Sequence, residues 1–278
     1  MNVETDQNAC DDDLTARRAR RERVWNEIRA RAHQRGISED ELQRFRSYLS
    51  VNLKLDEPSY VDRMQRPRNY FPGLEALPVH ETSKFPWALE IEEKFDTIRD
   101  EIFRHSSSLT LDVHPQDLAD KGKWSVLYFF AGGMQTEVTR QACPTITKIL
   151  DRVAGTGQAG NTYLSVLQGG THIPQHFGPT NARLRCHVGL SVPEGAKIRI
   201  GEDIYRWRDG KCLVFDDAYE HEVWNDSDRD RAVLIIDFWH PGMTEAECWA
   251  MVEARAMPDG LVDFSPDSST VRAVSATV

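Results

Sequence analysis

The sequence has few cysteines, no long hydrophobic run and fewer basic than acidic residues. Its 5 cysteines are odd in number and widely spaced, which argues against a disulfide framework and against a zinc-binding pattern. No apolar run approaches the roughly 18 residues of a membrane-spanning helix. The first residues, MNVETDQNACDDD, lack the basic start and the apolar stretch of a signal peptide. From these absences we predict a cytoplasmic protein that does not bind a membrane.

The shortage of basic residues also limits the partners. The formal net charge is −10 at pH 7, from 44 acidic and 34 basic residues. Nucleic acids and anionic membrane surfaces attract proteins with a basic surplus, so we expect neither as a partner. The 278 residues, 40% of them hydrophobic, suffice for one large globular domain with a helical attachment. A small molecule or a peptide is the expected partner.

Two helical patterns occupy residues 1–54, which we predict to form an N-terminal helical hairpin. Apolar residues recur at helical spacing in both patterns, and Gly36 separates them. Arginines and glutamates alternate along the first helix, which is typical of a solvated face. The sequence leaves three roles open for this extension: it packs on the main domain, covers the opening of that domain, or forms a homodimer.

Residues 55–255 are predicted to form the main domain, and residues 256–278 a C-terminal tail. An amphipathic helix starts at Pro86 and runs to about His105. From Trp124 onward, short segments rich in β-branched and aromatic residues alternate with turn residues. This spacing predicts a mainly β domain with flanking helices, either an antiparallel sandwich or a jelly roll.

One predicted strand, RLRCHVGLSV, has two chemically different faces. Arg183, Arg185 and His187 point to one side, whereas the residues between them are apolar. If helices cover the apolar side, the cationic side lines an internal cavity. Such a cavity is suited to holding anions.

Two histidines, His176 and His221, stand on segments that are predicted to be neighbouring strands. Neutral imidazole suits a divalent transition metal such as Fe(II). Arg231 follows 10 residues after the second histidine, where the next strand returns to the same cavity. Its guanidinium can hold a carboxylate bidentately. A metal site with a carboxylate clamp beside it is what a 2-oxoglutarate-dependent Fe(II) oxygenase needs.

Three motifs resemble the aspartyl/asparaginyl β-hydroxylase family of Fe(II)- and 2-oxoglutarate-dependent dioxygenases. They are GTHIPQHFGPTNARLRCHVGL, FDDAYEHEVWN and RAVLIIDFWHP, in the order found in the family. With weaker similarity upstream, the resemblance extends from Tyr70 to Pro241. It implies a double-stranded β-helix core, the cupin-like jelly roll, to which the N-terminal helices are an extension. It also implies Fe(II) as cofactor, and 2-oxoglutarate and O₂ as cosubstrates.

The resemblance assigns the metal site to three residues. His176 and His221 become the iron ligands, and Asp217 becomes the hydrogen-bond partner of a water on the iron. Most 2-oxoglutarate oxygenases place a carboxylate ligand two residues after the first histidine. This chain has Gly178 there, a departure that the family resembled shares.

The resemblance also assigns residues to the cosubstrate and the substrate. Arg231 and Ser165 would bind the distal carboxylate of 2-oxoglutarate. Arg185 and His187 would meet the carboxylate nearest to the iron. Arg183 matches a family arginine that binds a carboxylate of the substrate.

The implied activity is hydroxylation of an unactivated C–H bond, at the β-carbon of an Asp- or Asn-type residue in a peptide, amino acid or natural product. Two further substrate contacts of the family fall, by ungapped matching from Trp124, on Ala119 and Val126. Neither residue can bind a carboxylate, so an apolar metabolite stays open as the substrate. Relatives that act on the acyl chains of lipid A are membrane-anchored, which argues against a lipid.

Two alternatives remain at the level of the sequence. The same iron chemistry could end in desaturation, cyclisation or halogenation of a specialised metabolite. The chain could also be a non-catalytic jelly-roll binding protein that kept the fold.

Overall fold

The computed structural model describes residues 3–107, 112–113, 119–131, 134–135 and 137–257. Within these residues the chain forms two compact units. The first comprises residues 3–63, 68–75 and 241–257, and the second comprises residues 64–67 with the described part of 76–240. The helix after residue 240 therefore groups with the N-terminal helices, whereas the sequence analysis placed the domain boundaries at residues 54 and 255. Apart from residues 256 and 257, the predicted tail lies outside the described residues.

Seven α-helices and twelve strands are present in the described residues. The helices are α1 (Val3–Gln34), α2 (Gln43–Asn52), α3 (Pro86–Glu93), α4 (Phe95–Ser106), α5 (Glu137–Ala142), α6 (Pro144–Leu150) and α7 (Glu245–Arg255). The strands are β1 (Val79–His80), β2 (Asp112–Val113), β3 (Trp124–Ala131), β4 (Met134–Gln135), β5 (Thr162–Leu167), β6 (His172–His176), β7 (Arg183–Ser191), β8 (Ala196–Ile200), β9 (Asp203–Tyr205), β10 (Cys212–Phe215), β11 (His221–Asn225) and β12 (Arg231–Trp239).

The first unit contains α1, α2 and α7. Ile28 of α1 and Phe45 of α2 are fully buried, as the helical spacing of the apolar residues predicted. Gly36 follows α1 with a φ of +75°, a conformation that costs glycine little and that ends the helix as predicted. Glu253 of α7 pairs with Arg31 of α1 at 2.7 Å. None of the described helices has the length and apolar composition to cross a membrane.

The second unit is a jelly roll made of two antiparallel sheets. In the described residues, the larger sheet has the strand order β1-β10-β7-β12-β5-β3-β2, with β4 paired to β3. The smaller sheet has the order β6-β11-β8-β9. From β5 onward the chain passes repeatedly between the two sheets, which makes it a double-stranded β-helix. The predicted fold class is confirmed.

Helices cover the outer face of the larger sheet. Leu184 and Val188 of β7 lie in one buried cluster with Ile91 of α3 and Ile98 of α4. This is the apolar side of β7, so the condition under which the cationic side lines an internal cavity is met. The helix that was predicted to start at Pro86 is interrupted at Lys94, between α3 and α4.

The inner faces of the two sheets form a second core. Val233 and Ile235 of β12 meet Ile198 of β8 and Val223 of β11 in this core. Every residue of β12 is buried, because one face of the strand meets the helices and the other meets the smaller sheet. This explains why its sequence is a continuous apolar run with little alternation. The candidate site lies on the same inner faces.

Candidate functional site

His176 and His221 face each other across two neighbouring strands of the smaller sheet. They are directly paired residues of β6 and β11. Their ring centroids are 4.1 Å apart. The structure thus brings together the two imidazoles that the sequence analysis proposed as metal ligands.

Backbone carbonyl groups fix the tautomer of both rings. His176 Nδ1 lies 2.8 Å from the carbonyl oxygen of Pro174, and His221 Nδ1 lies 3.0 Å from that of Tyr219. A carbonyl oxygen can only accept, so Nδ1 carries the proton and Nε2 keeps a lone pair.

The electrostatic surroundings keep the same two rings neutral. Burial lowers the pKa of His176, and burial together with His176 lowers the pKa of His221 well below its usual range. Neutral imidazole with a free Nε2 is the form that binds a transition metal.

The carboxylate of Asp217 lies beside this pair, against Gly178. A Cβ built at Gly178 would lie 2.3 Å from Cγ of Asp217. Oδ2 of Asp217 pairs with Arg185 at 3.1 Å, whereas its buried Oδ1 has no hydrogen-bond partner among the described residues. Such an acceptor is suited to a water molecule on a metal ion.

Two arginines and two aspartates form a buried ionic network next to the histidines. Asp237 lies opposite Arg185 in the β12–β7 pairing and accepts hydrogen bonds from its Nε at 2.8 Å and its Nη2 at 3.2 Å. Arg183 Nη1 lies 3.1 Å from Asp237 Oδ2, and Arg183 Nη2 lies 3.4 Å from Asp217 Oδ2. The network therefore balances its own charges, as a buried ion pair requires.

This network bears on the roles expected of Arg183 and Arg185. The family resemblance implies that Arg183 binds a carboxylate of the substrate and that Arg185 meets a carboxylate of 2-oxoglutarate. In the structure both guanidinium groups already pair with Asp217 and Asp237. A ligand carboxylate would have to extend this network or displace part of it, and both roles stay predictions.

Arg231 is a buried cation with a different environment. It is 2% exposed and forms no salt bridge with a carboxylate of the described residues. Its Nη1 donates to Ser165, at 3.3 Å to Oγ and 3.5 Å to the carbonyl oxygen. Its Nε has no hydrogen-bond partner in the described part of the chain.

Burial lowers the pKa of Arg231 to about 10, which leaves the guanidinium charged at neutral pH. A buried charge without a counter-ion is costly. The residue is therefore a strong candidate for binding an anion.

His187 provides a second unused donor close to Arg231. Its Nδ1 accepts a hydrogen bond from Nε1–H of Trp207 at 3.2 Å, so the proton of the neutral ring is on Nε2. Burial, followed by the charges of Arg185 and Arg231, lowers the pKa of His187 well below its usual range, and His221 contributes in the same direction. The buried Nε2 has no hydrogen-bond partner among the described residues. His187 thus has a buried N–H that needs an acceptor, and Trp207 contacts both His187 and Arg231.

Sequence reasoning missed three residues that shape this site. Trp207 contacts His187, Asp237 pairs with two arginines, and Trp124 Nε1 donates to Ser165 Oγ at 2.9 Å. The tryptophans resemble ordinary core residues in the sequence. Asp237 could have been found, because an acid inside the apolar run VLIIDFW must have a partner when buried.

The donor set fits an iron ion and a dicarboxylate. No group of three or more His, Cys, Asp or Glu residues suited to a metal occurs among the described residues. The protein would therefore supply two imidazoles, and the ligand and water would supply the remaining coordination positions. Arg231 and His187 would satisfy the carboxylates.

Residues 92–241, over half of the chain, match the family model described as aspartyl/asparaginyl beta-hydroxylase. The chain is 35% identical over 187 residues to an ornithine lipid ester-linked acyl 2-hydroxylase from Rhizobium tropici, covering 63% of this chain and 66% of that protein. It is 36% identical over 181 residues to the aspartyl/asparaginyl beta-hydroxylase of Homo sapiens, covering 62% and 24%. It is 32% identical over 203 residues to aspartate beta-hydroxylase domain-containing protein 2 of Homo sapiens, covering 68% and 54%. The chain thus spans less than two thirds of the length of these relatives.

Proposed function

The chain belongs to the aspartyl/asparaginyl β-hydroxylase family, and we propose that it is an Fe(II)- and 2-oxoglutarate-dependent hydroxylase of an unactivated C–H bond. When bound, iron and 2-oxoglutarate would supply the oxidising power: one atom of O₂ would enter the substrate and the other would enter succinate, which forms from 2-oxoglutarate together with CO₂. One observation carries the proposal. Two neutral imidazoles with free Nε2 atoms face each other, and a buried guanidinium without a carboxylate partner among the described residues contacts Trp207, the indole that also bonds His187.

The residues have distinct roles in this proposal. His176 and His221 would hold the iron through Nε2, because Nδ1 of each ring is bonded to a carbonyl oxygen. Arg231, held by Ser165, would bind the distal carboxylate of 2-oxoglutarate. Nε2–H of His187 would donate to the carboxylate nearest to the iron.

Asp217 has a positioning role. Its Oδ2 pairs with Arg185, which leaves Oδ1 to accept a hydrogen bond from a water ligand of the iron. The inner core of apolar residues around these groups keeps bulk water out and strengthens their electrostatic interactions.

An Asp- or Asn-type residue in a peptide is the first substrate class that we propose. It is supported by the family match and by the similarity to the human aspartyl/asparaginyl beta-hydroxylase. Arg183 would bind the carboxylate of an Asp-type substrate residue.

An apolar acyl chain is the second candidate, although the sequence analysis argued against a lipid. The Rhizobium tropici relative is named for the hydroxylation of an ester-linked acyl group. The charge of Arg183 is already paired with Asp217 and Asp237, so it need not bind an anionic substrate. Both observations favour a substrate without a carboxylate at the reacting end.

Thermal unfolding under anaerobic conditions tests the cofactors. Fe(II) or Mn(II) together with 2-oxoglutarate should raise Tm, because a ligand at 100 times its Kd stabilises the folded state by about 2.7 kcal/mol. Absence of any increase would rule the proposal out.

Aerobic incubation then tests the reaction and the substrate class. Peptides with Asp or Asn and matched acyl amides are followed by mass spectrometry and by succinate release. A gain of about 16 mass units indicates hydroxylation, a loss of about 2 indicates desaturation or cyclisation, and a gain of about 34 indicates chlorination. The substrate that couples succinate release to its own modification identifies the class.

A further inference from the structure

We propose that Trp207 is a positioning residue of the 2-oxoglutarate site, because one indole contacts both side chains assigned to the two carboxylates. The inference rests on the proposed function, since it concerns the same cosubstrate. Trp207 lies in the turn between β9 and β10 and is 5% exposed. Nothing in its local sequence distinguishes it from a residue that only fills the core.

The first contact sets the proton position on His187. The indole Nε1–H donates to His187 Nδ1 at 3.2 Å, and the two rings stack with centroids 5.8 Å apart at 27°. An indole N–H can only donate, so Nδ1 of His187 must accept and Nε2 must carry the proton. In the other tautomer Nε2 would present a lone pair, which repels a carboxylate. Trp207 therefore decides whether His187 attracts or repels the ligand.

The second contact orients Arg231. The guanidinium carbon lies 4.8 Å from the centroid of the Trp207 ring, within the range of a cation–π interaction. Ser165 accepts from Nη1 of the same guanidinium. Since no carboxylate of the described residues pairs with Arg231, the indole face and Ser165 are the groups that hold it before a ligand binds.

The turn that carries Trp207 is tied to the strand that carries His187. Gly189 donates its N–H to the carbonyl oxygen of Lys211 at 3.1 Å, and its own carbonyl oxygen accepts from Gly210 at 2.9 Å. A Cβ at Gly189 would lie 2.2 Å from the carbonyl oxygen of Arg208, so the turn approaches β7 closely enough to require glycine. The indole and the imidazole are thus fixed relative to each other by the backbone.

The test compares Trp207→Phe with Trp87→Phe. Phenylalanine at residue 207 keeps an aromatic ring for Arg231 and removes the N–H that His187 accepts. Trp87, which is partly buried, packs against Phe238 on the helical side of the larger sheet with ring centroids 4.9 Å apart, so Trp87→Phe is a control for the same substitution away from the site. Circular dichroism and Tm establish that both variants are folded.

Two measurements give the outcome. Long-range ¹H–¹⁵N correlation spectra of the metal-free protein report the tautomer of His187 without any cosubstrate. We expect the Nε2–H form in the wild type and in Trp87→Phe, and a mixture of both forms in Trp207→Phe. Calorimetric titration of the Mn(II)-loaded protein should show Kd for 2-oxoglutarate about twofold higher in Trp207→Phe, because only the Nε2–H fraction of the mixed population binds the ligand, and unchanged in Trp87→Phe.

Failure of this inference differs from failure of the proposed function. An Nδ1–H form of His187 in the wild type overturns the inference even if Trp207→Phe does not fold. An unchanged tautomer and an unchanged Kd in Trp207→Phe also overturn it. A wild-type protein that binds no 2-oxoglutarate with Mn(II) refutes the proposed function, and the inference with it.

Discussion

Gly178 and the carboxylate of Asp217 occupy adjoining space that cannot hold another side chain. A Cβ built at Gly178 would lie 2.3 Å from Cγ of Asp217, and 2.4 and 2.6 Å from its two oxygens. Non-bonded atoms do not approach this closely. The carboxylate ligand that most 2-oxoglutarate oxygenases place two residues after the first histidine is therefore excluded here by Asp217 itself.

The first prediction concerns this pair. Gly178→Asp should lower the free energy of unfolding by about 2–4 kcal/mol, because the new side chain overlaps Asp217 and buries a second carboxylate beside it. The double variant Gly178→Asp/Asp217→Gly vacates the space and should recover part of the loss. Urea denaturation of the three proteins checks this. A single variant as stable as the wild type would show that the site adapts and that the steric argument is wrong.

The second prediction concerns the metal ligands. His176→Ala and His221→Ala should each weaken Mn(II) binding by more than about 100-fold, since loss of a direct ligand exceeds the effect of losing an outer hydrogen bond. His172→Ala is the matched control, because His172 is on the same strand but bonds to Asp120 and Glu222. Calorimetric titration measures all three. Equal losses of Mn(II) affinity in all three variants would argue against a metal site formed specifically by His176 and His221.

The third prediction separates two buried arginines by their partners. Arg231→Met should leave the free energy of unfolding of the ligand-free protein unchanged or raise it by about 1–2 kcal/mol, because it removes a buried cation that has no carboxylate partner in the described residues. The same variant should lose the Tm increase that 2-oxoglutarate gives the metal-loaded wild type.

Arg183→Met is the control for that experiment. Arg183 pairs with Asp217 and Asp237, so Arg183→Met should lower the free energy of unfolding by about 3–5 kcal/mol, because the two buried carboxylates lose a cationic partner. Denaturation with urea in the absence of ligands compares the two. Similar decreases in the free energy of unfolding of both variants would contradict the proposal that Arg231 binds an anion.

The fourth prediction is a pH dependence at His172. Burial alone would lower its pKa, but hydrogen bonds to Glu222 at 2.8 Å and to Asp120 at 3.0 Å raise the pKa above the usual 6.5. A raised pKa in the folded state adds stability that is fully present below the unfolded pKa and is lost as the pH rises through the folded pKa. His172→Gln should therefore lower the free energy of unfolding by about 0.5–1 kcal/mol at acidic pH and by less at alkaline pH.

Urea denaturation near pH 5.5 and pH 9 checks this difference, with the wild type measured at both. A loss of the same size at both pH values would mean that the charge of His172 contributes nothing to stability. The partly exposed position of the ring keeps the expected effect small.

Much of the fold could be predicted because its signals are local. The alternation in RLRCHVGLSV predicted a strand with a cationic and an apolar face, and in the structure helices cover Leu184 and Val188 on the apolar face. The break at Lys94 was missed, since the apolar spacing continues across it. The cytoplasmic location, the homodimer and the domain boundaries stay predictions.

The sequence by itself determined which residues can do the chemistry, because a motif carries its histidines and arginines whatever their partners are. Only the tertiary structure decided how their charges are paired. Arg183 and Arg231 are both arginines at the start of a strand, yet the first meets two carboxylates and the second meets none among the described residues. The difference arises from strand register. Asp237 of β12 lies opposite Arg185 of β7, 52 residues away in the sequence, and from there it also pairs with Arg183. Register is set by packing of the whole sheet, and no short segment of sequence contains it.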